Sequence, residues 1–347
     1  MAIEALGSDE RALYRQRFRT ARGRLDLYLL FWERALQILN PEGRIVFITP
    51  EKFTYVETAR PLRDLLARQH VEELLCAAED TFPGLVTYPV ITTVSRSSPA
   101  ADTRVQLRDG ATHAVRMPAG GDSWQPLINR SPALAGGCRL ADVALRVSCG
   151  VATGADKAYL FLADELPAGC ERFARPAIAG RELRPGHPLP ASRRALFMPY
   201  DGDGNLLPLG ALGEAAGYLQ DAPVRQRLQA RTCVERKPWY AFHETPPLAE
   251  MLRPKLLCKD IAREPCFWVE ERGDLVPLHS TYYIVPADPS LLHPLAGYLN
   301  SPQAKAWLSA NCQRAANGFV RMQSAVLKRL PVPDEMATPL RQQRLAA

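Results

Sequence analysis

The sequence predicts an α/β protein, a partial Rossmann-like sheet followed by an α+β region, and three observations carry that prediction. The segment from Asp26 to Phe53 reads as helix, tight turn, buried strand and loop. Two further runs rich in apolar and β-branched residues, Val71 to Ala77 and Tyr88 to Val94, follow it with a helical pattern placed before them. Beyond Ser95 the pattern breaks into short β runs among scattered Pro and Gly, which marks a different architecture.

Residues 7–19 open the chain with a capping start and a polar helical pattern, anchored by Leu13, Phe18 and Tyr14. In the next helix Leu25, Leu29, Trp32, Leu36 and Leu39 recur at three- and four-residue spacing, leaving Glu33, Arg34 and Gln37 for a polar side. Asn40-Pro41 stops that helix, because Pro41 cannot continue its ladder, and Gly43 tolerates the turn. Ile45 to Ile48 is then a continuous apolar run, of the kind buried on both faces of a sheet. Thr49, Pro50 and Lys52 fall at its carboxyl end, the edge where open α/β sheets place ligands. Ala59 to Gln69 predicts a helix with Leu62, Leu65 and Leu66 turned inward.

The change of pattern between Ser95 and Asp122 places a domain boundary there, giving domains at 1–120 and 121–335 with a tail at 336–347. In the second domain residues 211–231 read as one amphipathic helix or two short ones. Leu256 to Ile261, Cys266 to Val269 and Tyr282 to Val285 read as strands, and Leu291 to Leu299 with Gln303 to Cys312 as a closing helix pair. Asp201 to Asn205 has the start of a calcium loop, but Leu206 and Leu212 stand where that loop needs Gly and Glu, so a turn is expected.

The 347 residues are 47% hydrophobic and 23% charged, ordinary values for a globular chain. Of the formal net charge of +6, residues 171–263 carry 15 Lys/Arg against 10 Asp/Glu, so the excess is localised. That favours a polyanion partner, although a solvated basic face gives the same count. The eight cysteines include no Cys-x-x-Cys pair and no histidine at metal-ligand spacing, which predicts free thiols in a reducing cytoplasm. The longest apolar run, Leu27 to Trp32, is far shorter than a membrane span needs, and a soluble cytoplasmic protein is expected.

From Asp26 to Pro50 the chain resembles the adenine-specific DNA methyltransferases of restriction–modification type, in which a methylase domain precedes a target-recognition domain. Thr81 to Gly84, followed by Tyr88 to Val94, is similar to that family's Phe-Pro loop and last sheet strands. Gly150 to Tyr159, Ile178 to Leu183, Gly297 to Pro302 and Leu327 to Pro333 resemble its recognition domain. The resemblance implies methyl transfer from S-adenosylmethionine to the exocyclic amine of adenine in double-stranded DNA.

It also implies roles for particular residues. Phe82 matches the aromatic residue that stacks on the target adenine once it leaves the duplex, and Phe31 matches one that borders the methyl-donor pocket. For DNA the candidates combine charge with aromatic or loop context, namely Thr153, Gly154 and Lys157 in a Gly-rich loop, Arg181 in Gly-Arg-Glu-Leu, and Arg236, Lys237, Trp239 and Tyr240, the last two being residues more often found in a core. Arg314 and Arg321 are further prospects.

The family's Gly-rich donor loop and its Asn/Asp-Pro-Pro-aromatic motif have no counterpart in these residues. The expectation is therefore a split or truncated enzyme, inactive alone, that pairs with an upstream chain carrying those motifs. The rival expectation is a non-catalytic recognition subunit docked on a separate catalytic chain. A nuclease role lacks the usual Asp…Glu-x-Lys cluster.

Overall fold

A computed structural model describes residues 6–23, 26–85, 87–97 and 101–339. The expected inward Leu25 and most of the expected tail at 336–347 lie outside the described residues. The chain forms two compact units, Met1–Ser131 and Pro132–Ala347, and the architecture is mixed α/β.

The first unit begins with helices α1 (Ser8–Arg17) and α2 (Leu27–Ile38), then strand β1 (Arg44–Pro50), helix α3 (Arg60–Leu66), and strands β2 (His70–Cys76), β3 (Pro89–Ser95), β4 (Thr103–Gln106) and β5 (Thr112–Val115). The five strands form one sheet in the order β1-β3-β2-β4-β5. Strand β3 runs antiparallel to both β1 and β2, so β1 and β2 are parallel to each other, and β4 runs parallel to β2. The carboxyl ends of β1, β2 and β4 therefore share one edge. The short β patterns after Ser95 extend this sheet, and Trp124 is fully buried in its core, stacked edge-on 5.7 Å from Phe53.

Three expectations about this unit are corrected. Ile45 is buried, but Val46 is 57% exposed and Ile48 47%, so the apolar strand is covered on one face only. Among the described residues β1 is also hydrogen-bonded on one side only, to β3. Glu33, expected on a polar face, is buried, because its carboxylate accepts the backbone N–H groups of Arg19 (3.0 Å) and Thr20 (2.9 Å) and the Thr20 hydroxyl (2.8 Å). A buried carboxylate needs such donors, and these tie the α1–α2 connection to α2. The helix ends at Ile38 with Leu39 as its terminal cap, one residue before the expected Asn40.

Arg63 on α3 organises the core of this unit. It is 1% exposed and donates through Nε to the carbonyls of Gly121 (3.0 Å) and Asp122 (2.9 Å), and through Nη1 to those of Phe53 (2.7 Å) and Val56 (2.8 Å). Burial pushes its pKa down to about 10, which leaves it charged at neutral pH. The planar fork suits this task because it reaches several carbonyls at once.

The second unit has three sheets of three or more strands. Strands β6 (Ala144–Cys149), β10 (Lys255–Lys259), β12 (Phe267–Glu270) and β14 (Thr281–Pro286) form an antiparallel sheet ordered β12-β10-β14-β6. Strands β7 (Leu160–Leu162), β8 (Ala174–Ile178), β9 (Arg194–Phe197) and β13 (Val276–Pro277) form another, ordered β13-β8-β9-β7. A small ribbon joins β11 (Ile261–Ala262) to the hairpin β15 (Gln313–Ala315) and β16 (Phe319–Arg321). Residues 211–231 resolve into two short helices, α4 (Glu214–Gln220) and α5 (Ala222–Gln229), and the closing pair is α6 (Leu292–Leu299) and α7 (Pro302–Asn311). The Asp201 carboxylate accepts from the N–H groups of Asp203 and Asn205 and from the Asn205 side chain, which makes the expected turn.

Lys255 and Glu270 form a buried ion pair across β10 and β12 at 2.6 Å, with Lys255 wholly buried. Burial pushes the Lys255 ammonium down, and Glu270 opposes that shift. All eight cysteines are free thiols, and burial raises Cys170 and Cys312 to about 12, where they are unreactive.

Arg63→Ala removes a donor from four carbonyls, of which that of Val56 keeps the Ala59 N–H, and is expected to destabilise the first unit by about 3 kcal/mol or more. Urea unfolding followed by tryptophan fluorescence measures it, and a loss below about 1 kcal/mol contradicts the role given to Arg63.

Candidate functional site

In the first unit the loop that carries Phe82 lies at the shared carboxyl edge of the sheet. The backbone N–H of Glu51 donates to the Tyr88 carbonyl (2.7 Å), and that of Ala77 to the Pro89 carbonyl (3.0 Å). Thr87 N–H donates to the Glu79 carbonyl (3.3 Å), closing the loop between β2 and β3 on itself. At its tip Phe82 is 42% exposed and Leu85 63%, around a turn that Gly84 enters at φ +77°. A large aromatic held at the tip of a closed loop, with its ring toward solvent, is available for stacking.

Arg108, just beyond β4, pairs with Glu51 at 2.6 Å, both side chains mostly buried, and its guanidinium lies 5.3 Å from the Tyr88 ring. Glu51 and Arg108 therefore fasten the loop's exit, a role that the sequence did not reveal, since they lie far apart in the chain. Phe31, on α2, is 65% exposed. One exposed ring does not make a donor pocket, so no step through S-adenosylmethionine follows from these residues.

In the second unit three segments meet at the turn 277–281. Gly150 and Val151 donate to the carbonyls of Thr281 (2.8 Å) and Pro277 (2.8 Å). From the other side, Leu278 donates to the Ile178 carbonyl (2.9 Å), and Gly180 to the Ser280 hydroxyl (3.0 Å). Both glycines are required by space: a Cβ on Gly150 would lie 2.3 Å from the Pro277 carbonyl oxygen, and one on Gly180 2.3 Å from that of Ser280.

The loop after Gly150 lines a cleft of about 600 Å³ with Asp156, Lys157, Arg227, His243 and His279. Lys157 is exposed at this cleft, as a phosphate contact requires. Gly154 takes φ +70° and packs against His243, so no side chain fits there without strain. Arg231 donates to the carbonyls of Thr153 (2.7 Å) and Trp239 (2.6 Å) and so joins the loop to residues 239–243. Lys237 reaches the same place, donating through Nζ to the His243 carbonyl at 3.0 Å. The structure thus unites Thr153, Gly154, Lys157 and Lys237, which are distant in sequence.

Arg181 is exposed and lines a second cleft of about 790 Å³ with Arg184, His187, Arg193 and Arg194. Arg194 is partly neutralised by Glu182 at 3.4 Å. Arg236 is exposed beside Lys237.

Two expected DNA contacts, Thr153 and Tyr240, are corrected by their burial. Thr153 is fully buried, and its hydroxyl donates to Asp156 and accepts from Ala155 N–H (3.0 Å), so it shapes the loop. Tyr240 is 8% exposed, its hydroxyl donates to the Leu207 carbonyl (2.9 Å), and its own carbonyl accepts from Tyr159 (2.8 Å). Trp239 is half-buried against the core, with the Arg225 guanidinium 5.5 Å from its ring. Arg227, His243 and His279 carry no sequence signal, whereas Arg193-Arg194 beside Arg181 and Arg184 extends a basic stretch visible in the sequence. Among the described residues no group of three His, Cys, Asp or Glu could hold a metal ion, and no helix is long and apolar enough to cross a membrane.

Residues 1–82 match the family described as Eco57I restriction-modification methylase. The chain is 28% identical over 368 residues to the type II methyltransferase M.XhoI of Xanthomonas vasicola, a match covering 94% of this chain and 66% of that protein. It is also 28% identical over 373 residues to the type II methyltransferase M.PaeR7I of Pseudomonas aeruginosa, covering 96% and 63%. The fold is similar to that of the type IIL restriction-modification enzyme MmeI, solved in complex with DNA, at a TM-score of 0.61 and 14% identity over 93% of this chain and 44% of MmeI. The resemblance to restriction–modification methyltransferases is borne out, and the chain spans just under two thirds of the length of these curated relatives.

Gly180→Ala is expected to destabilise the second unit by about 1–3 kcal/mol, since a methyl group has no room beside Ser280. Gly297→Ala, in open space on α6, is expected to be neutral or stabilising by up to about 1 kcal/mol. Thermal unfolding of the two variants compares them, and equal melting temperatures contradict the close approach.

Proposed function

We propose, from this kinship with restriction–modification methyltransferases, that the chain is the loop-bearing and DNA-recognising part of an adenine-specific DNA methyltransferase. The observation that carries the reading is Phe82, exposed at the tip of a closed loop on the carboxyl edge of a sheet whose first two strands, β1 and β2, lie within the residues that match the methylase family. In this reading S-adenosylmethionine supplies the methyl group, and Phe82 stacks on an adenine rotated out of the duplex. Adenine's amine is a poor nucleophile because its lone pair is delocalised into the ring. A methylase motif that accepts its hydrogens is needed beside Phe82, and neither that motif nor the Gly-rich donor loop occurs in these residues.

The open side of β1 and the exposed Val46 and Ile48 support docking with such a methylase portion, in the same polypeptide or another. They equally favour a second reading, in which this chain is a recognition subunit for a separate catalytic chain. Lys157, Arg181, Arg227 and Lys237 then hold the DNA backbone in either case.

Methyl transfer from radiolabelled S-adenosylmethionine to duplex DNA tests the first reading, with the chain alone and with the methylase portion that bears the missing motifs. Transfer to adenine only in the combined sample is expected, and Phe82→Ala is expected to slow it by about tenfold to a hundredfold while duplex binding stays intact. Transfer to cytosine, or full activity of Phe82→Ala, contradicts the proposal. Binding to DNA and to the methylase portion without a contribution from Phe82 supports the recognition-subunit reading.

A further inference from the structure

Residues 289–333 contain no Asp or Glu, yet carry Lys305, Arg314, Arg321, Lys328 and Arg329. Within this carboxylate-free stretch lies the β15–β16 hairpin. Cross-strand register places Arg321 between Gln313 and Ile261, and Phe319 opposite Ala315. Strand alternation sends these five side chains to one face and Val320, Ala262 and the half-buried Arg314 to the other. Val320 and Ala262 are 7% and 6% exposed, while Phe319 and Ile261 are 37% and 39% exposed and Arg321 is open to solvent. At the hairpin tip Asn317 adopts φ +59°, the left-handed conformation that makes a tight reversal. The ribbon thus has one face toward the core and an outer face on which Phe319 and Arg321 are exposed, while Ala315 and Gln313 are half-buried, the Gln313 Oε1 accepting from Gln323 Nε2 at 3.4 Å.

That combination does not suit a protein core or a phosphate clamp. It has the chemistry of a base reader: Arg pairs with the O6 and N7 of guanine, Gln with the N6 and N7 of adenine, and Ala or Phe meets a thymine methyl. The B-DNA major groove admits a two-stranded β ribbon, and the hairpin β15–β16 supplies two such strands beside the short β11 of this three-stranded sheet. We infer that the outer face of this ribbon, with the exposed Phe319 and Arg321 and the half-buried Gln313 and Ala315, enters the major groove and reads bases of the target sequence.

The inference rests on the DNA-binding reading given above and deepens it. Its setting in the second unit is consistent with that division of labour. The β10–β11 connection at Asp260 donates its N–H to the Ser280 carbonyl (3.0 Å) and accepts from Met322 N–H (2.7 Å), so the ribbon is fastened to the same turn 277–281 that carries His279 into the basic cleft. Lys157 and Arg227 in that cleft position the duplex, and the ribbon specifies the sequence. Arg321 sits 3.9 Å from Asp260 in a partly exposed pair, a weak tether that a guanine edge can replace.

Selection of duplexes from a randomised pool by the full chain, followed by affinity and salt titration on the recovered sequence, tests the assignment. The wild-type chain is expected to recover a consensus. Arg321→Ala is expected to erase preference at one guanine position, a loss of about tenfold or more in discrimination, with binding to unrelated duplex unchanged. Arg321→Gln is expected to move that preference toward adenine, an outcome that unfolding cannot produce. Lys157→Ala is expected to weaken every duplex alike and to reduce the salt dependence. A consensus that survives both Arg321 variants and Gln313→Ala overturns the ribbon while leaving DNA binding in place. Failure of the wild-type chain to bind any duplex overturns the DNA-binding reading, and the ribbon assignment with it.

Discussion

The turn 277–281 admits two backbones at closer range than any side chain allows, and the second unit is arranged around that constraint. Gly150 and Gly180 bring the ends of β6 and β8 against it from opposite sides, each donating a hydrogen bond into it. Because the approach is backbone to backbone, it fixes three segments to within a fraction of an ångström, as long side chains cannot. The loop bearing Lys157, the exposed Arg181 and the connection leading into the ribbon all leave from this point. Their spacing is therefore inherited from main-chain geometry, which suits a surface that must match the fixed geometry of a duplex.

The first unit solves a related problem with buried charge. Arg63 collects four carbonyls, and Glu33 collects two N–H groups and a hydroxyl. Each ion satisfies main-chain groups that have no ladder partner, so irregular segments can pass through the core without orphaned polar atoms. The result is a rigid frame behind the carboxyl edge, where the Glu51–Arg108 pair fastens the loop that displays Phe82. Among the described residues of this unit the exposed large apolar side chains lie on that loop, on α1 and α2 and on β1.

The two units divide the proposed work along physical lines. Stacking a rotated base needs an exposed aromatic on a stiff support, which the first unit has in Phe82. Holding and reading a duplex needs separate groups for phosphate and for base edges, since charge attracts every sequence alike. In the proposed reading the second unit supplies both, with basic clefts lined by Lys157 and Arg181 and a ribbon carrying Gln313 and Arg321.

The sequence by itself determined the helix α2, the strands β1 to β3, the closing helices α6 and α7 and the resemblance that points to Phe82. These rest on local periodicity, on Pro and Gly stops and on a contiguous motif, all of which act within a few residues. It also marked Lys157 and Arg181 by loop context. Only the tertiary structure decided that Val46 and Ile48 are uncovered, that Glu33 is buried, and that Thr153 and Tyr240 spend their polar atoms inside the protein. It alone joined Lys237, Arg227, His243 and His279 to the loop at Gly154, and turned Gln313 and Arg321 to one face. Burial and side-chain direction depend on which distant segments meet, and hydrogen bonds between residues a hundred positions apart leave no trace in the local pattern that a sequence displays.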